Sequence, residues 1–203
     1  MESFIMVSVA FITGVLGPIL VIIVRNWLDG KKKKPDMVRD TLRVSELITS
    51  KIEHIREEFN SDRVWIAQFH NGGNFYPTGK SMAKFSIMYE TVHHGVQSVQ
   101  NNFHNIPVNL FSKSINELLQ NDVIQIPDYK DESIATFGLK YIAEDTGCKS
   151  GYLFAIKTID DRFIGTLGLE YTKRKTRLDI ESINHLMVHA TSLGGVLMTH
   201  LQQ

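Results

Sequence analysis

Apolar and polar positions along the chain fall into distinct patterns, and each pattern predicts an element. The first is an unbroken block: SFIMVSVAFITGVLGPILVIIV, Ser3 to Val24, carries no charge and is almost wholly apolar. About 20 residues of helix at about 1.5 Å each cross a hydrocarbon core of about 30 Å, so this block predicts one N-terminal transmembrane helix. Behind Pro35 the pattern becomes amphipathic. In DMVRDTLRVSELITSKIEHIREEF, Val44, Ile48, Ile52, Ile55 and Phe59 recur at spacings of four and three, with Glu46, Lys51, Glu53 and Arg56 off that stripe; this is a helix with one buried face. RVWIAQF, Arg63 to Phe69, is short, apolar and rich in β-favouring residues, which predicts a largely buried strand. AKFSIMYETV reads either as a second strand or as the start of a helix, and its periodicity does not choose.

Further on, LFSKSINELLQND predicts an amphipathic helix with Leu110, Ile115, Leu118 and Leu119 inward, and VIQI a brief strand stopped by Pro127. SIATFGLKYIAEDTG predicts another helix, with Ser133 as N-cap and Gly147 at its C-terminal end. GYLFAIKTIDDRFIGTLGLEYT gives the clearest pattern, two apolar strands, Gly151 to Thr158 and Arg162 to Thr172, joined by a tight polar turn: a β-hairpin. The last helix places Ile183, Leu186, Ala190, Leu193, Leu197 and Leu201 on one stripe behind Asp179 as N-cap. Helix, strand, strand, helices, hairpin, helix is the order of an α+β domain with an antiparallel β-sheet flanked by helices. The expected division is a transmembrane anchor at 1–28, a basic linker at 29–35 and a folded domain at 36–203.

Charge changes this picture only locally. Lys plus Arg and Asp plus Glu are both 22, so no global field draws the protein to nucleic acid, which is excluded as an expected partner. The uneven part is the start, where Glu2 precedes the apolar block and Arg25, Trp27 and Lys31 to Lys34 follow it. Basic residues stay on the cytoplasmic side and Trp favours the interface, so the expected topology is single-pass in an inner or plasma membrane, N-terminus outside and the domain cytoplasmic. A cleaved signal peptide would carry its charges in the reverse order. The lipid bilayer, met through residues 3–24, is thus an expected partner. The single cysteine, Cys148, allows no intramolecular disulfide, thiolate zinc site or redox pair.

Candidate chemistry gathers behind the first strand, in FHNGGNFYPTGKSMAKFSIMYE, Phe69 to Glu90. Asn71, Gly72 and Gly73 are expected to turn the chain after the strand; glycine permits positive φ and leaves backbone amides open to an anion or carbonyl, so His70, Asn71, Gly72 and Gly73, with Tyr76, Thr78 and Lys80 as a polar lid and Tyr89 and Glu90 beyond, form the candidate ligand-binding set. No catalytic residue and no metal site are expected. His185 and His189 lie one turn apart on a helix, but the intervening Leu-Met-Val holds no glutamate, so the HExxH pattern is absent. Glu90, Asp128, Asp131 and Glu132 pair at no spacing that acid-base chemistry requires. The run KRKTR, Lys173 to Arg177, lacks interleaved aromatics and reads as a solvated or lipid-facing patch.

From about Asp36 to Leu201 the arrangement resembles a GAF domain, most clearly in GYLFAIKTIDDRFIGTLGLEY, where a strand, a turn and a strand ending in small residues (Phe163 to Leu167) precede the long last helix. Within that family, Phe69 to Glu90 is similar to a variant found in membrane-anchored, phage-encoded proteins of unknown role. The resemblance implies a GAF/PAS-like sheet with helices on one side and a ligand pocket on the other, the pocket lying near His70, Tyr76 and Lys80, and dimers formed through the terminal helices. Family members sense small molecules, among them cyclic nucleotides, amino acids and tetrapyrroles. Members that reduce methionine sulfoxide need several cysteines, and bilin-binding members need one at the pocket; Cys148, lying just before the hairpin, supports neither, so no cofactor is assigned. The expected function is a non-enzymatic, membrane-anchored sensor or binding module, a homo-oligomer with a small-molecule or protein ligand. The alternative is a phage membrane protein, a holin-like lysis factor or an assembly anchor, whose soluble domain makes only protein contacts.

Overall fold

The computed structural model describes residues 14, 16–31, 37–131 and 139–201. The chain divides into two compact units, Met1–Asp40 and Thr41–Gln203. In the first, helix α1 (Gly17–Lys31) exposes Ile19, Leu20, Val21, Ile22, Ile23 and Trp27. No helix among the described residues is long and apolar enough to cross a membrane. Residues 1–13 and 15 of the expected span lie outside the described residues, as do Lys32 to Pro35 of the linker.

Helix α2 (Met37–Glu58) leads into the second unit, which continues with β1 (Arg63–Asn74), β2 (Ser81–Val92), β3 (Ile106–Pro107), α3 (Ser112–Asn121), β4 (Val123–Ile126), α4 (Leu139–Asp145), β5 (Ser150–Lys157), β6 (Phe163–Tyr171) and α5 (Ile180–Leu201). The strands form one antiparallel sheet in the order β3-β2-β1-β6-β5-β4. Period-two alternation sends successive side chains to opposite faces. One face carries Val64 and Ile66 of β1, Tyr152, Phe154 and Ile156 of β5, and Leu167, Leu169 and Tyr171 of β6. These pack against Ile48, Ile52 and Ile55 of α2 and Ile183, Leu186, Ala190, Leu193 and Leu197 of α5. Each fully buried side chain of this kind contributes about 1.5–3 kcal/mol, so this layer holds the domain together. The opposite face carries a second set, Leu153 with Ile124 and Ile126 under Leu118 and Ala143 of α3 and α4, and a third around Ala67, Ile87 and Val99.

The stripes expected on α2 and α5 are therefore the buried ones. Asp179 Oδ1 accepts from the Ser182 N–H at 2.8 Å and caps α5. The β5–β6 turn closes through the Thr158 N–H on the Arg162 carbonyl (2.9 Å), with Asp161 at φ 59°. Two expectations are corrected. Leu110 and Leu119 point outward, 53% and 50% exposed, because the helix begins only at Ser112 and Leu110 falls in the preceding 3₁₀ turn. The Asn-Gly-Gly triplet does not turn the chain: β1 continues through it to Asn74, and Gly73 at φ 93° sits in an irregularity of the β1–β2 register between Asn71 and Asn74. The turn comes later, where Phe75 N–H and Lys80 C=O meet at 2.8 Å and Gly79 takes φ 68°. The N-cap expected at Ser133 lies outside the described residues.

Candidate functional site

On the face away from the terminal helices, the sheet and its cover form a partly open apolar cavity of about 70 Å³. Alternation along β1 aims Trp65, Ala67 and Phe69 into it, joined by Phe85 and Ile87 from β2, Leu153 from β5, and Thr166 and Glu170 from β6. Ser114, Ile115 and Leu118 of α3 and Leu139, Ile142 and Ala143 of α4 roof it. Val99, Phe103 and Phe111, on the connection between β2 and α3, close the side. Gly168 lies directly under Trp65: a Cβ there would come within 2.3 Å of the indole ring, so only glycine lets the ring lie flat on β6.

At one end of this apolar space sits a buried ion pair. Arg63 is 0% and Glu170 5% exposed, and the two are cross-strand partners on β1 and β6. Glu170 Oε2 accepts from Arg63 Nε at 2.6 Å and from its terminal nitrogen Nη2. Arg63 Nη1 donates to the Gln97 carbonyl at 2.7 Å, and Trp65 Nε1 donates to Glu170 Oε1 at 3.1 Å. Each buried charge thus has a partner, as burial requires.

The residues singled out from the sequence fall elsewhere, and none of their side chains is among the described lining of the cavity. His70 Nε2 lies 2.9 Å from Ser86 Oγ, which accepts from the Asn105 N–H. Asn71 and Gly73 are exposed along the hairpin, and Gly72 lies against the aliphatic chain of Lys84. Tyr76 is 98% exposed and Lys80 is exposed beside it at the hairpin tip. Tyr89 pairs with Ile66 and packs against the core under the terminal helices, on the other face of the sheet. Glu90 touches the cavity only at second hand. It accepts from the backbone N–H groups of Val99 (2.8 Å) and Gln100 (3.1 Å) and from the Ser98 hydroxyl, holding the segment that carries Val99 and Phe103 over the opening.

Arg63 and Glu170 escaped sequence reading because they stand at the ends of otherwise apolar strands far apart in the chain. A charge inside each of two apolar strands was the one available sign that they neutralise each other. In the basic run, Lys173 lies 2.8 Å from His93 Nδ1 and 3.7 Å from Asp62 Oδ1, and Lys175 pairs with Asp128. Cys148 is buried beside Tyr129 and Ala143, its thiol 3.2 Å from the Ser150 carbonyl oxygen, and burial pushes the thiol pKa well up.

No protein-family model matches this chain, and no curated protein matches it either. Solved structures do. A far-red cyanobacteriochrome photoreceptor superposes with a TM-score of 0.63 at 14% identity, covering 93% of this chain and 100% of that one. The PixJ GAF domain of Thermosynechococcus elongatus, in its blue-light absorbing form, gives 0.60 at 12% identity over 76% of this chain and 84% of its own. The phycocyanobilin-bound GAF domain of a cyanobacterial phytochrome gives 0.60 at 17% identity over 82% and 94%. The fold is that of a GAF domain.

Proposed function

We propose that the chain is a non-enzymatic binding module of the GAF fold that takes a compact, largely apolar small molecule in the cavity beneath α3 and α4. The observation that supports this is the pocket itself: a partly open apolar space with a few convergent polar groups, on the face of the sheet opposite its main core. Ser114, Thr166 and Tyr129 are the hydroxyl-bearing residues of its described lining, and Glu170 is engaged by Arg63 and Trp65.

The chromophore named for the phytochrome structure does not fit here. Pockets for ligands of drug size run to about 300–1,000 Å³, and this one is about 70 Å³. No cysteine or basic side chain is among the described residues that line it, and Cys148 faces a carbonyl with its thiol held protonated. The cavity is about half the roughly 150 Å³ at which an engineered apolar cavity accepts benzene, so even a small ring needs α3 or the Val99 segment to move.

The module is read as membrane-anchored and dimeric. Supporting the anchor are the uncharged Ser3 to Val24 run and the basic residues behind it. Supporting a second copy as partner are Leu42 and Leu47 on α2 and Val188 on α5, all exposed apolar side chains on the terminal helices. A thermal-unfolding titration of the full chain with toluene or indole tests the binding reading. A rise in Tm that is lost in Ala67→Leu, which fills the cavity from its floor, is the expected result. No rise for either probe, or the same rise in the filled variant, would favour a domain that makes only protein contacts.

A further inference from the structure

The terminal helices bring together imidazoles and a carboxylate that the cavity does not use. His54 and Glu58 lie one helical turn apart on α2, and His185 and His189 one turn apart on α5. Glu58 is the centre of the group. Its Oε1 lies 2.9 Å from His185 Nδ1, and its Oε2 lies 3.2 Å from His189 Nε2 and 3.6 Å from His54 Nε2. One ligand atom from each of Glu58, His185 and His189 falls within 4.8 Å of the others. The His185 and His189 rings stack at 4.7 Å, and the Phe59 ring meets both edge-on at 5.9 and 6.3 Å, walling one side with hydrocarbon.

A simple ion pair needs one imidazolium for one carboxylate, and stacking several imidazoles around a single glutamate would set like charges against each other. Neutral imidazole is the form that ligates metal. We propose that Glu58, His185 and His189 form a binding site for a divalent transition-metal ion of the zinc class, with His54 in reach as a fourth ligand.

Imidazole nitrogen with a carboxylate suits zinc, copper or nickel, and not magnesium or calcium, which take oxygen ligands. Zinc bonds of about 2.0–2.2 Å to nitrogen and oxygen place the ligand atoms of a tetrahedral site about 3.3 Å apart. The carboxylate–imidazole spacings, 2.9 to 3.6 Å, are near that, the Glu58, His185 and His189 ligand atoms lie within 4.8 Å of one another, and His54 and His185 are exposed enough to rotate into place. Spacing along the chain argued against a metal because the helix of His185 and His189 carries no acid between them. The acid comes from the other helix. An ion here would tie the end of α2 to the middle of α5, on the side of the sheet opposite the cavity, so the proposal does not rest on the cavity reading.

The test uses the full chain purified in detergent, stripped with chelator and titrated with zinc chloride. Expected are one ion bound per chain and a rise in Tm. Cobalt in place of zinc gives the visible absorption of a tetrahedral site. The double change His185→Ala, His189→Ala loses stoichiometric binding and the Tm rise, and Glu58→Gln weakens binding at least tenfold. His93→Ala with His94→Ala changes neither. These positions lie at the surface, so metal-free unfolding midpoints of the variants report whether they fold. Absence of stoichiometric binding, or binding retained in the His185, His189 double variant, would overturn the site.

Discussion

Arg63 and Glu170 show how one pair of residues constrains the whole face of the sheet. Both are desolvated, both sit on central strands, and each depends on the other for charge balance. Removing one partner of such a pair leaves an uncompensated buried charge and costs about 3–5 kcal/mol, whereas replacing both with apolar groups of similar volume costs far less. Arg63→Ala is therefore expected to lower the unfolding free energy by about that amount, and Arg63→Met with Glu170→Leu to lose less than the sum of the single changes, as a double-mutant cycle in urea would measure. Asp62 carries a pH-dependent part of stability. Burial alone would raise its pKa, but the backbone N–H groups of Lys173 and Thr172, at 2.9 and 2.7 Å, together with the Lys173 charge, hold it below the ordinary 3.8. A carboxylate lowered on folding contributes stability above its unfolded value, and that contribution disappears as pH falls through the folded value. Asp62→Asn should thus be less stable at neutral pH yet lose less on acidification below pH 3.8, read as Tm against pH. An Asp62→Asn profile parallel to the parent's would show that the group titrates alike folded and unfolded.

At the scale of elements, two neighbouring glycines on α5 give a controlled comparison. A Cβ at Gly194 would lie 2.2 Å from the Lys157 carbonyl oxygen of β5, whereas one at Gly195 meets nothing within 4 Å. Gly194→Ala must push the helix off the sheet and should cost about 1–3 kcal/mol, the usual range for overpacking. Gly195→Ala should instead stabilise by up to about 1 kcal/mol through helix propensity. Denaturation midpoints that rank the two the other way would show that α5 does not sit this close to β5. The elements legible in the sequence were those whose burial is one-sided and periodic: the stripes Ile48, Ile52, Ile55 and Ile183, Leu186, Ala190, Leu193, and the continuous apolar strands of the hairpin. Illegible were the features set by partners distant in the chain. Asn71, Gly72 and Gly73 look like a turn in isolation, but ten-odd residues of ladder to β2 carry the strand through them, as the pairing of Asn74 with Ser81 shows. For the same reason AKFSIMYETV had no decisive period. Its two faces meet unlike neighbours, with Phe85 and Ile87 at the cavity and Tyr89 under the helices. The candidate site shared this limit, since Trp65, Ala67 and Phe69 read as ordinary strand residues until α3 and α4 are placed above them.

For the whole molecule, the sheet is the common wall between the cavity and the terminal helices, because Trp65 and Ala67 face one side while Val64 and Ile66 face the other. A ligand that dilated the cavity would act on the same strand that seats α2, and α2 is the element next in sequence to the apolar start of the chain. That route has value as a signal only if the start is fixed in a bilayer, and membrane attachment can be tested separately from ligand binding. Two sources of attachment differ in physics. Lysines beside a membrane attract anionic headgroups by about 1 kcal/mol per charge, an attraction that salt screens, and Lys31 to Lys34 would act in this way. An uncharged run such as Ser3 to Val24 would be held by the hydrocarbon core, where salt has no purchase. The full chain is therefore expected in the membrane pellet after a high-salt wash and in detergent extracts thereafter. The chain lacking residues 1–30 is expected in the supernatant, unfolding at the same temperature as the intact domain. Release of the full chain by salt alone would leave the lysines as the only attachment, and recovery of the shortened chain in the washed pellet would place the membrane contact on the domain itself.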